Sequence, residues 1–206
     1  MALILSSIRR FIFMILFSIF IQLAKSAPTL TVSRLYSAMR EETMHMFRET
    51  FSTYSQFETL RVGHTMSSNW YLTGLPNHLS WTYAQRHAAS EADVLETHVS
   101  NLLIFERALR YMEADEQTYS GSHSFRTNFR AIRSKLNTLI AGLQHIMDIE
   151  NLVGINQTPV TSTLIFSPNA DDEEINRRDL IVLRELAHYS PVLSSDINRL
   201  SRARSG

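Results

Sequence analysis

Cysteine is absent from the 206-residue chain, which excludes a disulfide scaffold, a thiolate metal site and a cysteine nucleophile. Glycine and proline are scarce, at 6 and 5 residues, so few positions favour turns. That scarcity disfavours an all-β fold and points to long helices. Neither charge sign dominates, with 20 basic and 20 acidic side chains, and 44% hydrophobic residues are ample for a core. Catalytic signatures are missing too: there is no HExxH, GxSxG, GxGxxG or P-loop pattern. The 8 histidines fall at positions 45, 64, 78, 87, 98, 123, 145 and 188, with no pair three or four apart to put two ligands on one helix face. Each reads as a single polar residue at the surface or boundary. Neighbouring acids such as Glu41 and Glu42 point in different directions on a helix and read as solvated. No enzyme, metal or cofactor is expected.

What is present begins with one apolar run, Phe11 to Leu23, preceded by Arg9 and Arg10 and followed by Ala24-Lys25-Ser26-Ala27-Pro28. A basic, then apolar, then small-residue order is that of a secretory signal peptide, here residues 1–26. The alternative is a membrane anchor, but a spanning helix needs about 20 apolar residues and this run is shorter. The expected mature chain is therefore a single domain, residues 27–206, in the extracellular space, without membrane insertion. Cleavage removes Arg9, Arg10 and Lys25 and no acid, leaving 17 basic against 20 acidic residues. No polybasic run remains to suggest nucleic-acid binding. Lys135 is then the only lysine, and arginine suits protein interfaces because its planar fork pairs carboxylates bidentately. One glycosylation sequon, Asn156-Gln157-Thr158, is present.

Four stretches carry helical periodicity. From Thr31 to about Phe57 apolar residues recur at Leu35, Met39, Met46, Tyr54 and Phe57, flanked by Val32, Tyr36, Phe47 and Phe51. The second, from about Ala88 to Gln117, carries Leu95, Val99, Leu102, Phe105, Leu109 and Met112, with Ser90 and Asp93 as a start signal. In the third, Phe125, Phe129, Ile132, Leu136, Leu139, Leu143 and Ile146 repeat alternately every four and three residues, the pattern of a bundle helix, with Ser122 or Ser124 as its cap. The fourth runs from about Ala170 to Leu200 with a stripe of Leu183, Leu186, Leu193, Ile197 and Leu200. Acids at its start and arginines at its end complement the helix dipole. Pro191 falls inside it, and an interior proline costs about 3 kcal/mol, so a bend is expected there.

The connections are long, short and long. A short link forces antiparallel neighbours, whereas a long one lets the next helix start at the same end as its predecessor. The expected fold is thus all-α, a long-chain four-helix bundle of up-up-down-down topology with two long crossover loops. The first crossover carries Trp70, Tyr71, Leu72, Leu75, Leu79, Trp81 and Tyr83. It reads either as a lid packed on the bundle or as a receptor-contact loop, since Trp and Tyr concentrate at binding hot spots.

Within the fourth stretch, Leu180-Ile-Val-Leu-Arg-Glu-Leu-Ala-His-Tyr189, followed by Ser195-Asp196 and Leu200, resembles the last helix of the ciliary neurotrophic factor, cardiotrophin-like cytokine and neuropoietin group. Val182, Leu183, Glu185, Leu186, Tyr189 and Asp196 match in order, and Tyr71-Leu-Thr-Gly-Leu-Pro76 is similar to that group's first crossover. The resemblance implies an interleukin-6-type helical cytokine, a monomeric growth factor that crosslinks glycoprotein 130, the leukaemia inhibitory factor receptor and an optional alpha receptor. Receptor-associated kinases and STAT proteins would carry the signal. The group's Phe-x-x-Lys receptor motif falls here at Glu173 and Asn176, which are neither aromatic nor cationic. Ile175 and Arg178, an apolar residue and a base three apart, are the candidate substitutes, with Asp196 and Arg199 as candidate contacts for another receptor. The competing expectation is a secreted helical-bundle carrier of apolar ligands, holding its cargo in the bundle interior.

Overall fold

The computed structural model describes residues 32–63, 70–76, 81–152 and 170–204. The expected signal segment and Asn156 lie outside the described residues. Among the described residues there is no strand, and no helix is long and apolar enough to cross a membrane.

The described residues are all-α, with five helices that pack together. The first, α1, spans residues 32–57 and continues into one π-helical turn, Glu58–Val62. Gly63 closes it at φ 71°, a left-handed position that glycine takes without strain, and its N–H bonds the Glu58 carbonyl at 2.9 Å. A short helix, α2 (Tyr83–Ala88), starts in a capping box in which Thr82 and Gln85 satisfy each other's backbone N–H groups. Helix α3 (Glu91–Asp115) begins where Ser90 caps the Asp93 N–H at 3.2 Å. Helix α4 (Arg126–Ile149) starts less regularly. Its N-cap is Phe125, and Ser124 reaches only the Arg126 N–H, at 3.4 Å. Helix α5 (Asp172–Ala203) is capped by Asp171, whose carboxylate accepts from Glu174 N–H at 2.8 Å.

Helix α5 runs on through Pro191, which is exposed. The proline has no N–H to offer the preceding turn, while Ser190 donates its hydroxyl to the Leu186 carbonyl at 2.7 Å. Unlike the other helices, α5 buries a continuous stretch, Leu180 to Leu183, so more than one of its sides meets the interior.

Polar ties pin both ends of the bundle. At one end the Tyr36 hydroxyl of α1 bonds Glu91 at the start of α3, and Arg204 after α5 bonds Glu91 at 2.8 Å and Glu150 after α4 at 2.6 Å. At the other end Arg61 of α1 donates to Glu116 after α3, to the His123 carbonyl at 2.9 Å, and to Asn176 of α5 at 3.2 Å. Glu116 in turn accepts the Phe125 N–H at 2.6 Å, and the Arg61 guanidinium lies 3.2 Å from the centre of the Tyr119 ring. Between these ends, Phe57 of α1 packs against Phe125 and Phe129, with ring centres 4.9 and 5.8 Å away. Gly142 on α4 faces Met39 so closely that an added Cβ would sit 2.0 Å from its sulfur.

Candidate functional site

The four residues proposed as receptor contacts have different fates. Arg178 is buried, 8% exposed, and its guanidinium donates to Asp179 at 2.7 Å and to Asp115 at the end of α3, also at 2.7 Å. Asp196 is 1% exposed. Neither side chain presents itself to a partner, so the expectation that they are surface contacts is corrected: their charges are spent inside the bundle. Asp179 abuts the buried run Leu180 to Leu183, and Asp196 falls three residues after Leu193 and four before Leu200, on the apolar stripe itself. Arg199 is half-buried and donates to the Arg86 carbonyl at 3.2 Å. Ile175 is half-buried at the rim of a small cleft with Arg61, Tyr119 and Asn176.

Around Asp196 lies a polar cluster that joins α2, α3 and α5. His98 is 1% exposed rather than at a boundary, a second correction. Its Nδ1 is 2.5 Å from the Tyr189 hydroxyl and its Nε2 is 3.1 Å from Asp196 Oδ2. Asn101 donates to the same Tyr189 oxygen at 3.3 Å. Neutral His98 satisfies this chain of bonds: Tyr189 donates to Nδ1, and the Nε2 proton goes to the carboxylate. Arg86 Nε sits 2.9 Å from Asp196 Oδ2, and the Arg86 guanidinium also bonds the Trp81 carbonyl.

Burial is the largest influence on His98 and holds its imidazole below the ordinary value, against the raising pull of Asp196. Burial alone would raise Asp196, but the His98 hydrogen bond and the charges of His98, Arg86 and Arg199 bring it below the usual carboxylate range. Burial raises the Tyr189 hydroxyl. Toward the other end of α5, burial pushes Asp179 up to about 7 despite the pull of Arg178. A His, Tyr and Asp in sequence resemble catalytic parts, but all three are buried in the bundle, where no reacting atom approaches. The cluster fixes α2 and the chain before it to the bundle.

The outer surface holds a different feature. Met44 and Phe51 of α1 are 39% and 54% exposed, with half-buried Phe47 between them, its ring 6.0 Å from that of Phe51. Spacings of three and four put the three on one side of α1. That side borders α5, because Ser194 touches the Met44 sulfur at 3.8 Å. The described residues between α1 and α3 that carry aromatic side chains are unevenly packed. Trp70, Leu72, Leu75 and Trp81 pack partly buried against the core, Trp70 also meeting Arg177 at 5.5 Å and accepting from Arg184 through its carbonyl. Tyr71 is 81% exposed. Among the described residues no group of three or more His, Asp or Glu is placed to hold a metal ion.

No protein-family profile matches the sequence, and neither does any curated protein.

Proposed function

We propose that the chain is a secreted cytokine of the interleukin-6 type, which crosslinks cell-surface class I receptors of the glycoprotein 130 and leukaemia inhibitory factor receptor kind and so triggers JAK–STAT signalling. The observation that carries this reading is the pairing of helix ends. Tyr36 early in α1 meets Glu91 at the start of α3, and Arg61 in the π-helical turn that ends α1 meets Glu116 after α3. Glu113 late in α3 meets Arg130 early in α4, and Arg178 early in α5 meets Asp115 at the end of α3. Such pairs support α1 and α3 running one way and α4 and α5 the other, the up-up-down-down order of long-chain cytokines. The sequence of α5 adds the resemblance from Leu180 to Tyr189.

A ligand of this kind works through exposed faces rather than a pocket. With Arg178 and Asp196 turned inward, the receptor surfaces we assign are Met44, Phe47 and Phe51 of α1 for one receptor, and Ile175 with the exposed first turn of α5 for another. Apolar anchors with an accessible rim are the usual energetic centres of protein interfaces. Buried side chains from every long helix, Phe57, Leu102, Leu136 and Leu186 among them, pack into one core, which favours a signalling surface over a cargo pocket.

The test is binding of the chain starting at Ala27 to immobilised ectodomains of glycoprotein 130, the leukaemia inhibitory factor receptor and the ciliary neurotrophic factor alpha receptor, singly and combined. Saturable binding that tightens when receptors are combined supports the proposal. Folded, helical protein that binds none of them, alone or together, refutes the receptor assignment.

A further inference from the structure

From Gln117 to Met147 the chain contains no Asp or Glu, yet it carries Arg126, Arg130, Arg133 and Lys135. The three arginines lie at i, i+4 and i+7 on α4, which aligns them along one side of the helix over about 10 Å. That side borders α3: Arg130 Nε bonds Glu113 at 2.8 Å, and Arg133 bonds Glu113 at 2.9 Å and reaches Glu106 at 3.9 Å. Arg110 of α3 lies four residues after Glu106 and three before Glu113, hence on the same edge, and Arg107 lies a turn before it. Both are exposed, and the Arg130 side chain is 57% exposed.

Arg107, Arg110 and Arg130 are exposed on this face, with Arg126 and Arg133 half-buried at its edge, so five arginines accompany two glutamates on a chain whose expected mature form is net acidic. The first turn of α4 adds its positive dipole end beside Arg126, whose buried Nε has no hydrogen-bond partner.

We infer that this α3–α4 face binds an extended sulfated polysaccharide, an inference that rests on the reading of the chain as secreted. Arginine forks match sulfate oxygens bidentately, where lysine would act only as a point charge. The arginines run along helix edges rather than converging on one point, which suits a linear polymer with repeated anionic groups. The exposed α4 positions beside them, Thr127, Ser134, Asn137 and Gln144, offer hydrogen bonds to sugar hydroxyls.

The experiment measures binding of a size-defined heparin fragment to the purified chain starting at Ala27, without receptors, by calorimetry across a salt series. Its comparison ligands are fully desulfated heparin, a polyglutamate peptide and a single-stranded oligonucleotide. The triple variant Arg107→Gln/Arg110→Gln/Arg126→Gln is set against Arg34→Gln/Arg48→Gln/Arg202→Gln, which removes the same charge from exposed sites on α1 and α5. Circular dichroism checks that both remain helical. The expected result is salt-sensitive binding of sulfated heparin, about tenfold weaker in the α3–α4 variant and little changed in the control. Equal losses in the two variants, equal affinity for polyglutamate or the oligonucleotide, or no binding of sulfated heparin would each overturn the inference. Because receptors are absent, failure here leaves the cytokine reading to its own test.

Discussion

His98 on α3 donates through Nε2 to Asp196 on α5 across 3.1 Å, with both side chains 1% exposed. A neutral imidazole and a carboxylate thus meet where water does not reach. The carboxylate is balanced by Arg86, 2.9 Å away on α2, so three separate elements depend on one buried contact.

Acid should weaken this contact in a defined direction. His98 is held below its ordinary value of about 6.5, so on acidification the unfolded chain takes up the proton first. Stability from neutral His98 is complete above pH ~6.5 and falls by about 1.4 kcal/mol per unit below it, until the folded protein also protonates. Asp179, raised to about 7 by burial, works the opposite way: its stability contribution is greatest in acid and is lost as pH rises toward 7. Comparing the native chain with His98→Gln cancels the Asp179 contribution. In urea denaturation the advantage of the native chain should narrow by about 1 kcal/mol between pH ~7.5 and ~5.5. An unchanged gap would mean that the fold leaves the proton affinity of His98 as it is in the unfolded chain, and a widening gap that the fold holds His98 charged.

Removing the acid should cost more than removing the base. Asp196→Ala leaves Arg86 and His98 facing an uncompensated interior and deprives Arg199 of the carboxylate 4.0 Å away. Breaking a buried pair from one side typically costs about 3–5 kcal/mol. The loss should appear in urea denaturation and as faster proteolysis around α2, which Arg86 fastens to the bundle. Resistance to protease equal to that of the native chain would show that Trp81 and its neighbours hold α2 without the ion pair.

Much of the interior was legible because apolar periodicity reports burial directly. All the stripe residues read for α3, α4 and α5 are buried, and Ser90 caps α3 as its spacing with Asp93 indicated. Polar residues on the same stripes were misread. His98 sits between Leu95 and Leu102, and Asp196 between Leu193 and Leu200, so position told more than residue type. Helix α2 was missed, although Thr82 and Gln85 spell a capping box, because six residues are too few to show a period. Arg61 reaches Glu116 and Arg178 reaches Asp115, each more than fifty residues away, and one sequence alone carries no signal for such pairings.

Helix α1 shows how residue type obscures register. Its buried line is Val32, Tyr36, Met39, Thr43, Met46, Thr50, Thr53 and Phe57, an unbroken alternation of fours and threes in which three members are threonine. Leu35 and Tyr54, read as members of the stripe, are only partly buried.

The threonines on that line are not equivalent. Thr43 donates to the Met39 carbonyl at 2.7 Å, and Thr53 accepts from Asn128 at 3.5 Å, whereas the Thr50 hydroxyl is buried without a partner. Thr50→Val keeps the shape and removes the stranded hydroxyl, so it should stabilise the bundle by about 1 kcal/mol. Thr43→Val should gain less, because it also deletes a formed hydrogen bond. Thermal unfolding of the two variants decides the point, and a Thr50→Val protein that melts below the native chain would show that the hydroxyl has a bound water.

The exposed face of α1 separates function from stability. Phe51 is 54% exposed, so Phe51→Ser should change folding stability by less than about 0.5 kcal/mol. An aromatic anchor at the centre of a receptor contact typically contributes about 2 kcal/mol or more to binding, a loss of roughly thirtyfold in affinity. Met44→Ser, at the edge of the same face and touched by Ser194, should cost less. Receptor-dependent STAT phosphorylation, measured beside circular dichroism and urea denaturation, reads both quantities at once. Signalling that persists at native potency in a folded Phe51→Ser protein would remove this face from the receptor interface and leave Ile175 and the first turn of α5 as the remaining assigned contact.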